Sequence, residues 1–431
     1  MHPLLRGPRI AGLFAALGVL TALPAVGQAP TAVVLPARPN LSLAQALALA
    51  AAADPGAPAS AARLAAAQAG LRQAAVKPNP SLDIAVENFA GTGSYSPVDR
   101  NETTLSYERP FERGGKREAR TGRARAEVES ARLRGEVKRL DFLRDVQTAY
   151  AEALAAEADL LIAEARLLSA QTSQRDIARR VKSARDPLFA GSRAEALTAQ
   201  AEIARDRARD TARTSRAALA SYWAGSADFA LGLDDFFSVQ APAGLPVADA
   251  PDLALLEAER DAALAAIRVE QARSVADPTV RAGVRYFGQG NEVALVVGGS
   301  IPLGARNANR ANVERAQAEQ SAAELEIAAA RTVREREIVR TTVRLRALAT
   351  EAERIRIEVI PHAIRTIEQV SAGFRRGGFE YLDVTEAERA LADARARRVE
   401  VLREFHTSLA TLDRLTGKHR RLVASNMQER R

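Results

Sequence analysis

The fold turns on one stretch: Pro278-Thr279-Val280-Arg281-Ala282-Gly283-Val284-Arg285-Tyr286-Phe287, the turn Gly288-Gln289-Gly290-Asn291, and then Glu292 to Pro302. Val280, Ala282, Val284 and Tyr286 alternate with Arg281, Gly283, Arg285 and Phe287, the period of a strand with one apolar face. Val293, Leu295 and Val297 alternate more weakly with Glu292, Ala294, Val296 and Gly298. An earlier stretch repeats the plan. Pro80 to Phe89 carries Leu82, Ile84 and Val86 between Asp83, Ala85 and Glu87; Glu102 to Pro110 carries Thr103, Leu105 and Tyr107 between polar residues. Each hairpin follows a helical lead-in and precedes a very long helix. A duplication of this kind sets the architecture before any local reading does. It predicts a mainly α chain with a small β part, built as two halves of helix, hairpin and long helix. That is the outline of a channel.

The helices are readable from composition as well as period. Only 4% of the 431 residues are aromatic, Trp223 is the sole tryptophan, and Ala and Arg dominate. Such a chain packs long helices closely through small side chains instead of wrapping one thick core. From Arg113 to Ser183, Val137, Leu140, Leu143, Val146, Tyr150, Leu154, Ala158, Leu161, Ala165 and Leu168 recur at threes and fours, a coiled-coil seam. The second half answers with Ile338, Leu345, Leu348, Ala352, Ile355 and Val359. About 70 residues at 1.5 Å each give a rod of about 105 Å. Pro110 and Pro302 mark exits from the sheet, since proline donates nothing to a ladder.

The expected organisation is a signal peptide over 1–27, a linker over 28–40 and a first repeat over 41–224, with hairpin 79–110 and long helix 113–183. A connector at 225–251, rich in Gly, Pro, Asp and Phe, leads to a second repeat over 252–417, with hairpin 278–302 and long helix 305–373, and a disordered tail over 418–431. Each rod ends in a short turn, Arg185 to Gly191 and Phe374 to Phe379, before return helices Ser192 to Trp223 and Glu380 to Leu415.

Export follows from Arg6 and Arg9, the apolar run Ile10 to Val26, and the small residues Ala25-Val26-Gly27, which place the mature start near Gln28. A short membrane anchor is the alternative, although the run is barely long enough to span. No later segment is an apolar run of that length, so entry into a membrane would be by strands. With no cysteine, disulfides, thiolate metal sites, cysteine nucleophiles and a lipoprotein anchor are all excluded. The net charge of +8 is interleaved with acids, as in Glu335-Arg336-Glu337, and this argues against a nucleic-acid partner.

Little here argues for catalysis. His362, His406 and His419 are scattered, with no second histidine one helical turn away, so they read as surface or packing residues and not as metal ligands. Gly114-Gly115-Lys116 lacks the upstream glycine and the Ser/Thr of a phosphate loop and reads as a basic turn opening a helix. No enzyme, cofactor or metal site is expected. Four strands cannot close a membrane barrel, and an open edge is not tolerated in lipid, so copies must associate: two would give eight strands and three twelve. Leu82, Ile84, Val86, Val280, Val284 and Val293 are expected to face lipid, with Asp83, Glu87, Arg281 and Arg285 facing the lumen.

Over Leu41 to Gly417 the chain resembles the TolC-like outer-membrane factors, the exit ducts of tripartite efflux and type I secretion systems. Arg113-Gly114-Gly115-Lys116-Arg117 and the ending Phe405-His406-Thr407-Ser408-Leu409 to Leu415-Thr416-Gly417 look like the heavy-metal (CzcC-type) branch. The resemblance implies a homotrimer in the outer membrane of a Gram-negative bacterium, with a twelve-stranded β-barrel above a periplasmic α-barrel tunnel. It also implies a periplasmic adaptor and an inner-membrane pump of the RND type, with heavy-metal cations as cargo. Drug efflux or type I protein secretion through the same duct is the nearer alternative, and a soluble periplasmic coiled-coil scaffold the more distant one.

At the second rod turn the family pattern reads here as Gly373, Phe374 and Gly377, then Asp383 and Glu386 one helical turn apart. The resemblance implies that these acids sit near the constricted mouth. The first half has Gly191, Glu195, Ala199 and Gln200, echoing Asp383, Ala387 and Glu388. Phe374 and Phe379 stand where some relatives carry tyrosine and arginine, so the expected channel constriction combines Asp383, Glu386, Phe374 and Phe379, partly hydrophobic. Gly191, Glu195, Gly377 and Gly378 are the expected adaptor-contact turns.

Overall fold

The computed structural model describes residues 39–95, 98–244, 250–303 and 309–422. The expected signal peptide, most of the 28–40 linker, the start of the second long helix at 305–308 and the end of the tail lie outside the described residues.

Two short helices lead in: α1 (Leu43–Ala53) and α2 (Ala57–Ala74). Ser42 opens α1 with a capping box, its hydroxyl accepting the Gln45 N–H while the Gln45 side chain accepts the Ser42 N–H at 2.9 Å. Asp54 turns the corner by accepting the Gly56 N–H at 2.7 Å. The prolines of Lys77-Pro78-Asn79-Pro80 then bar helix, and β1 (Ser81–Glu87) begins. It pairs with β2 (Glu102–Pro110), after which α3 (Lys116–Lys182) runs 67 residues, or about 100 Å, and α4 (Leu188–Ser221) returns.

A connector bearing α5 (Asp234–Phe237) leads to α6 (Asp252–Arg273), β3 (Thr279–Phe287) and β4 (Glu292–Ser300), then α7 (Arg310–Arg354). The second rod is not continuous. A π-helical turn at Ile355–Val359 separates α7 from α8 (Ile360–Arg376), and α9 (Tyr381–Thr416) returns. Pro361 accounts for the interruption. Its ring crowds the carbonyl one turn back and it has no N–H to donate, so the turn before it widens until the Ile360 N–H reaches the Ile355 carbonyl.

The four strands form one antiparallel sheet in the order β1-β2-β3-β4, so the two hairpins join along β2 and β3. Below it, α3 packs along α4, α6 and α9, and α7 packs along α6 and α9. The core lies at mid-height, where Leu140, Leu143, Val146, Leu219, Leu345, Leu402 and Phe236 are fully buried.

The expected seam holds only through this level. Leu140 to Ala158 are buried, but Leu161 and Leu168 are 54% and 63% exposed, and Leu167 is buried instead. A seven-residue repeat drifts around a helix of 3.6 residues per turn, so over a straight rod the inward position migrates. Val359, on the π-turn, is likewise exposed. The start of the expected disordered tail is ordered: the Lys418 ammonium meets Asp413 at 3.0 Å and the His419 ring meets Gln147 at 3.1 Å.

Candidate functional site

Both ends of the molecule carry the features that matter. At the upper end, strand register decides which side chains share a face. Ile84 stands opposite Leu105, Leu105 opposite Val284 and Val284 opposite Leu295. The same row-by-row matching joins Leu82, Tyr107, Ala282 and Val297. Cross-strand partners project to the same side, so one face of the sheet is almost wholly apolar, and its large side chains are exposed, Leu295 to 84%. On the other face Arg285 meets Glu87 at 3.1 Å and Glu102 at 2.9 Å and donates to the Thr104 hydroxyl at 2.8 Å. Asp83, Glu108 and Arg281 share that face, with Phe287 and Val296 as its main apolar exceptions. The sequence expectation for apolar and charged sides is reproduced residue for residue. The outer strands β1 and β4 each have only one neighbour, so the sheet has two open edges.

At the lower end, the turn between α3 and α4 is clipped to the turn between α8 and α9. Arg180 grips Asp186 with two hydrogen bonds, of 2.7 and 3.0 Å, and donates a third to the Phe374 carbonyl at 3.1 Å. Its guanidinium lies 4.3 Å from the centroid of the Phe374 ring. The hydrogen bonds to Asp186 favour the charged form and raise the Arg180 pKa further. Phe374 is buried with Ile177, Ala190, Ala194 and Val384. Its ring therefore packs inside the chain's own tip instead of presenting a free surface.

Phe379 is different. It is 50% exposed, and the edge of its ring sits against Gly373, where a Cβ would come within 2.0 Å of the ring. Gly377 ends α8 in the left-handed conformation (φ 84°), and the Gly378 N–H bonds the Gly373 carbonyl at 2.9 Å, a Schellman turn that only glycine forms without strain. Gly191, by contrast, lies inside the first turn of α4 and not in the connecting turn, which spans Ser183 to Pro187. Glu195 follows on the same helix, exposed.

Asp383 accepts the Glu380 N–H at 2.8 Å, so it caps α9 while half-buried; Glu386 is exposed one turn on. Glu388 faces α3, accepting hydrogen bonds from Ser169 at 2.5 Å and Ser173 at 3.3 Å. Beside it a cavity of about 340 Å³ separates α3 and α4 from α8 and α9. Burial raises the pKa of the Tyr381 phenol at its edge. Arg180 and Asp186 were missed by the sequence reading; the Asp186-Pro187 step after a long helix was the available signal. Among the described residues no group of His, Cys, Asp and Glu could hold a metal ion, and no helix is long and apolar enough to cross a membrane.

Known proteins share this plan. Residues 43–225 and 247–418 match the outer membrane efflux protein family. The cobalt-zinc-cadmium resistance protein CzcC of Cupriavidus metallidurans is 29% identical over 389 residues, covering 88% of this chain and 90% of CzcC. The nickel and cobalt resistance protein CnrC of the same organism is 32% identical over 295 residues, covering 66% of this chain and 69% of CnrC. Among solved structures, the outer membrane protein VceC of Vibrio cholerae superposes with a TM-score of 0.69 at 20% identity, covering 87% of this chain and 96% of VceC. Two family matches that between them take in both hairpins and both rods leave one conclusion: this chain belongs to the outer membrane efflux protein family, and it is an efflux channel of the outer membrane with its rods in the periplasm.

Proposed function

We propose that three copies of the chain close into a passive duct for divalent transition-metal cations. The observation that carries this reading is the open four-stranded sheet with one apolar face, set at one end of rods about 100 Å long. In water that face would be a large exposed patch, which a soluble scaffold does not tolerate. In lipid it is the required surface, provided that no edge stays open. Pairing β4 of one copy with β1 of the next, three times over, gives a twelve-stranded barrel with Arg285, Arg281, Asp83 and Glu87 towards the lumen.

At the other end the trimer brings three copies of Asp383 and Glu386 to the mouth, with Phe379 as its apolar lining. Rings of carboxylates favour cations. The metal-resistance roles in the names of CzcC and CnrC agree with such a cargo. The surrounding parts are a periplasmic adaptor seated on the turns around Gly191, Glu195, Gly377 and Gly378, and an inner-membrane pump of the RND type. Phe374 then acts from behind, holding the mouth's shape. The duct performs no chemistry of its own.

Light scattering in mild detergent tests the assembly: a trimer is expected, and a stable monomer overturns the reading. Reconstituting the trimer with its neighbouring pump and adaptor should lower the accumulation of cobalt, zinc or cadmium in metal-sensitive cells. Unchanged accumulation beside restored drug export would reassign the cargo.

A further inference from the structure

One charged residue sits on the apolar face of the sheet. By register Arg109 projects to the same side as Val280, Tyr107 and Leu105, and it is the only ionisable lysine, arginine or carboxylate there among the strand residues. It stands one residue before Pro110, where β2 ends and the helical body begins. Arg on the lipid side of a barrel costs roughly 2–4 kcal/mol at mid-membrane and about 0–1 near the interface. Its position therefore marks the level of the periplasmic headgroups.

The surroundings of Arg109 suit an anion. A cavity of about 660 Å³ opens beside it, with Lys77, Lys116 and Arg117 in its lining and Pro78 and Phe111 as apolar wall. The Arg109 guanidinium lies 5.5 Å from the centroid of the exposed Phe111 ring, and an aromatic at the edge of an apolar band is an interfacial anchor. Two carboxylates share the cavity, Glu112 and Glu118. Glu112 is neutralised by Arg120, and Lys116 holds Asp277 at 2.6 Å. That leaves Lys77, Arg109 and Arg117 with no ion-pair partner among the described residues, against the single free acid Glu118. An excess of cations beside a lipid-facing wall is a phosphate site with room for acyl chains next to it.

We propose that this cavity binds the phosphate headgroup of an anionic phospholipid from the periplasmic leaflet, three times around the trimer. The site seats the barrel at a fixed depth. It rests on the barrel reading given above, since it needs the apolar face to be in lipid.

The test uses the intact trimer and cardiolipin or phosphatidylcholine, with bound lipid counted by native mass spectrometry. Wild type is expected to retain cardiolipin in preference to phosphatidylcholine, less so as salt rises. Arg109→Ala with Arg117→Ala should weaken cardiolipin binding on the order of ten-fold or more, since each basic residue near an anionic surface contributes about 1 kcal/mol. Arg109→Lys should retain most of it, and Arg281→Ala, at the same height on the opposite face, should leave it unchanged. Equal cardiolipin binding by wild type and the double variant overturns the proposal. So does displacement of cardiolipin by inorganic phosphate at equal concentration, which would make this a small-anion site. A chain that never trimerises breaks the barrel reading instead, and the two failures are read separately because oligomeric state appears in the same spectra.

Discussion

The middle of the molecule and its lower tip are built from the same helices, yet they are held in different ways. At mid-height α1, α3, α7, α9 and the connector converge, and Phe236, Leu143, Leu345 and Leu402 are fully enclosed. Polar ties reinforce this level. Arg414 is nearly buried and bonds Asp141 at 2.7 Å and Asp252 at 2.8 and 2.9 Å. His406 stacks on Phe236, with centroids 5.1 Å apart, and its Nε2 sits 3.1 Å from the Phe236 carbonyl oxygen, which fixes the connector to α9. The tip has one cluster of five buried apolar side chains, one arginine clip and one glutamate between two serines. Between the two levels lie the cavity of about 340 Å³ and the π-turn before Pro361. Few buried contacts, a gap and a weakened helix ladder are the marks of a segment that opens locally without global unfolding. Motion should belong to the tip, on a fixed middle.

The largest effect expected from this contrast comes from emptying each level in turn. Leu402→Ala removes a fully buried side chain and should cost about 2–5 kcal/mol, with a clear fall in trimer yield and melting temperature. Phe374→Ala removes a larger side chain, but from the small tip cluster. It should leave the melting temperature of the trimer nearly unchanged, while raising hydrogen exchange in α8 and the first turns of α9 and increasing bilayer conductance. If both variants lower the melting temperature alike, the two levels fold as one unit and the contrast is wrong.

A smaller effect separates the levels by pH. His406 is held below its ordinary value by burial, only partly offset by the Phe236 carbonyl and by Asp235. Burial would raise Asp413, but the His419 ring 3.7 Å away, the hydrogen bond from Gln147 and the charge of Lys418 outweigh it and leave this acid depressed. Both groups bind protons less readily folded than unfolded, so both contribute stability that is lost on acidification. The contribution of His406 is complete above its ordinary 6.5 and fades as pH falls towards its lower folded value. That of Asp413 is complete above 3.8 and fades below it. Melting temperature should therefore fall in two steps towards acid. His406→Gln should flatten the first step and Asp413→Asn the second. A profile that both variants leave unchanged would place the acid sensitivity elsewhere.

What the sequence made legible follows the range of the forces involved. The hairpins, their pairing and the apolar and charged faces were readable, because a strand's side chains alternate strictly and one face must find lipid. The rods were readable as helices, but not the side they bury: Leu161 and Leu168 face out where the repeat placed them inward. Pro361 was in plain view, and its effect was missed because the heptad pattern carries on past it. The tip was the least legible. Arg180 and Phe374 are far apart in the chain and meet only because two turns fold side by side, a contact with no local pattern. Gly191 shows the opposite error. It resembles Gly377 in sequence position, yet it sits in a helix with ordinary helical geometry and only Val181, 4.0 Å away, near its missing Cβ.

The smallest effect concerns Asp383 and Glu386, the two carboxylates proposed for the mouth, which the structure makes unequal. Asp383 is half-buried and spends one oxygen on the Glu380 N–H, whereas Glu386 is exposed and makes no such bond. A carboxylate tied to a helix N-terminus has part of its charge balanced by the end of the helix dipole, and less of its field reaches the lumen. In planar bilayers under a salt gradient, Glu386→Gln should therefore reduce cation preference more than Asp383→Asn. The change at Asp383 should appear instead as fraying of α9, since losing a capping side chain costs about 0.5–2 kcal/mol locally. Hydrogen exchange over 380–386 would register that fraying while the reversal potential barely moved. Equal shifts in reversal potential from the two variants would mean that Asp383 releases its cap in the conducting state and faces the ions alongside Glu386. No shift from either would move the selectivity filter away from the tip.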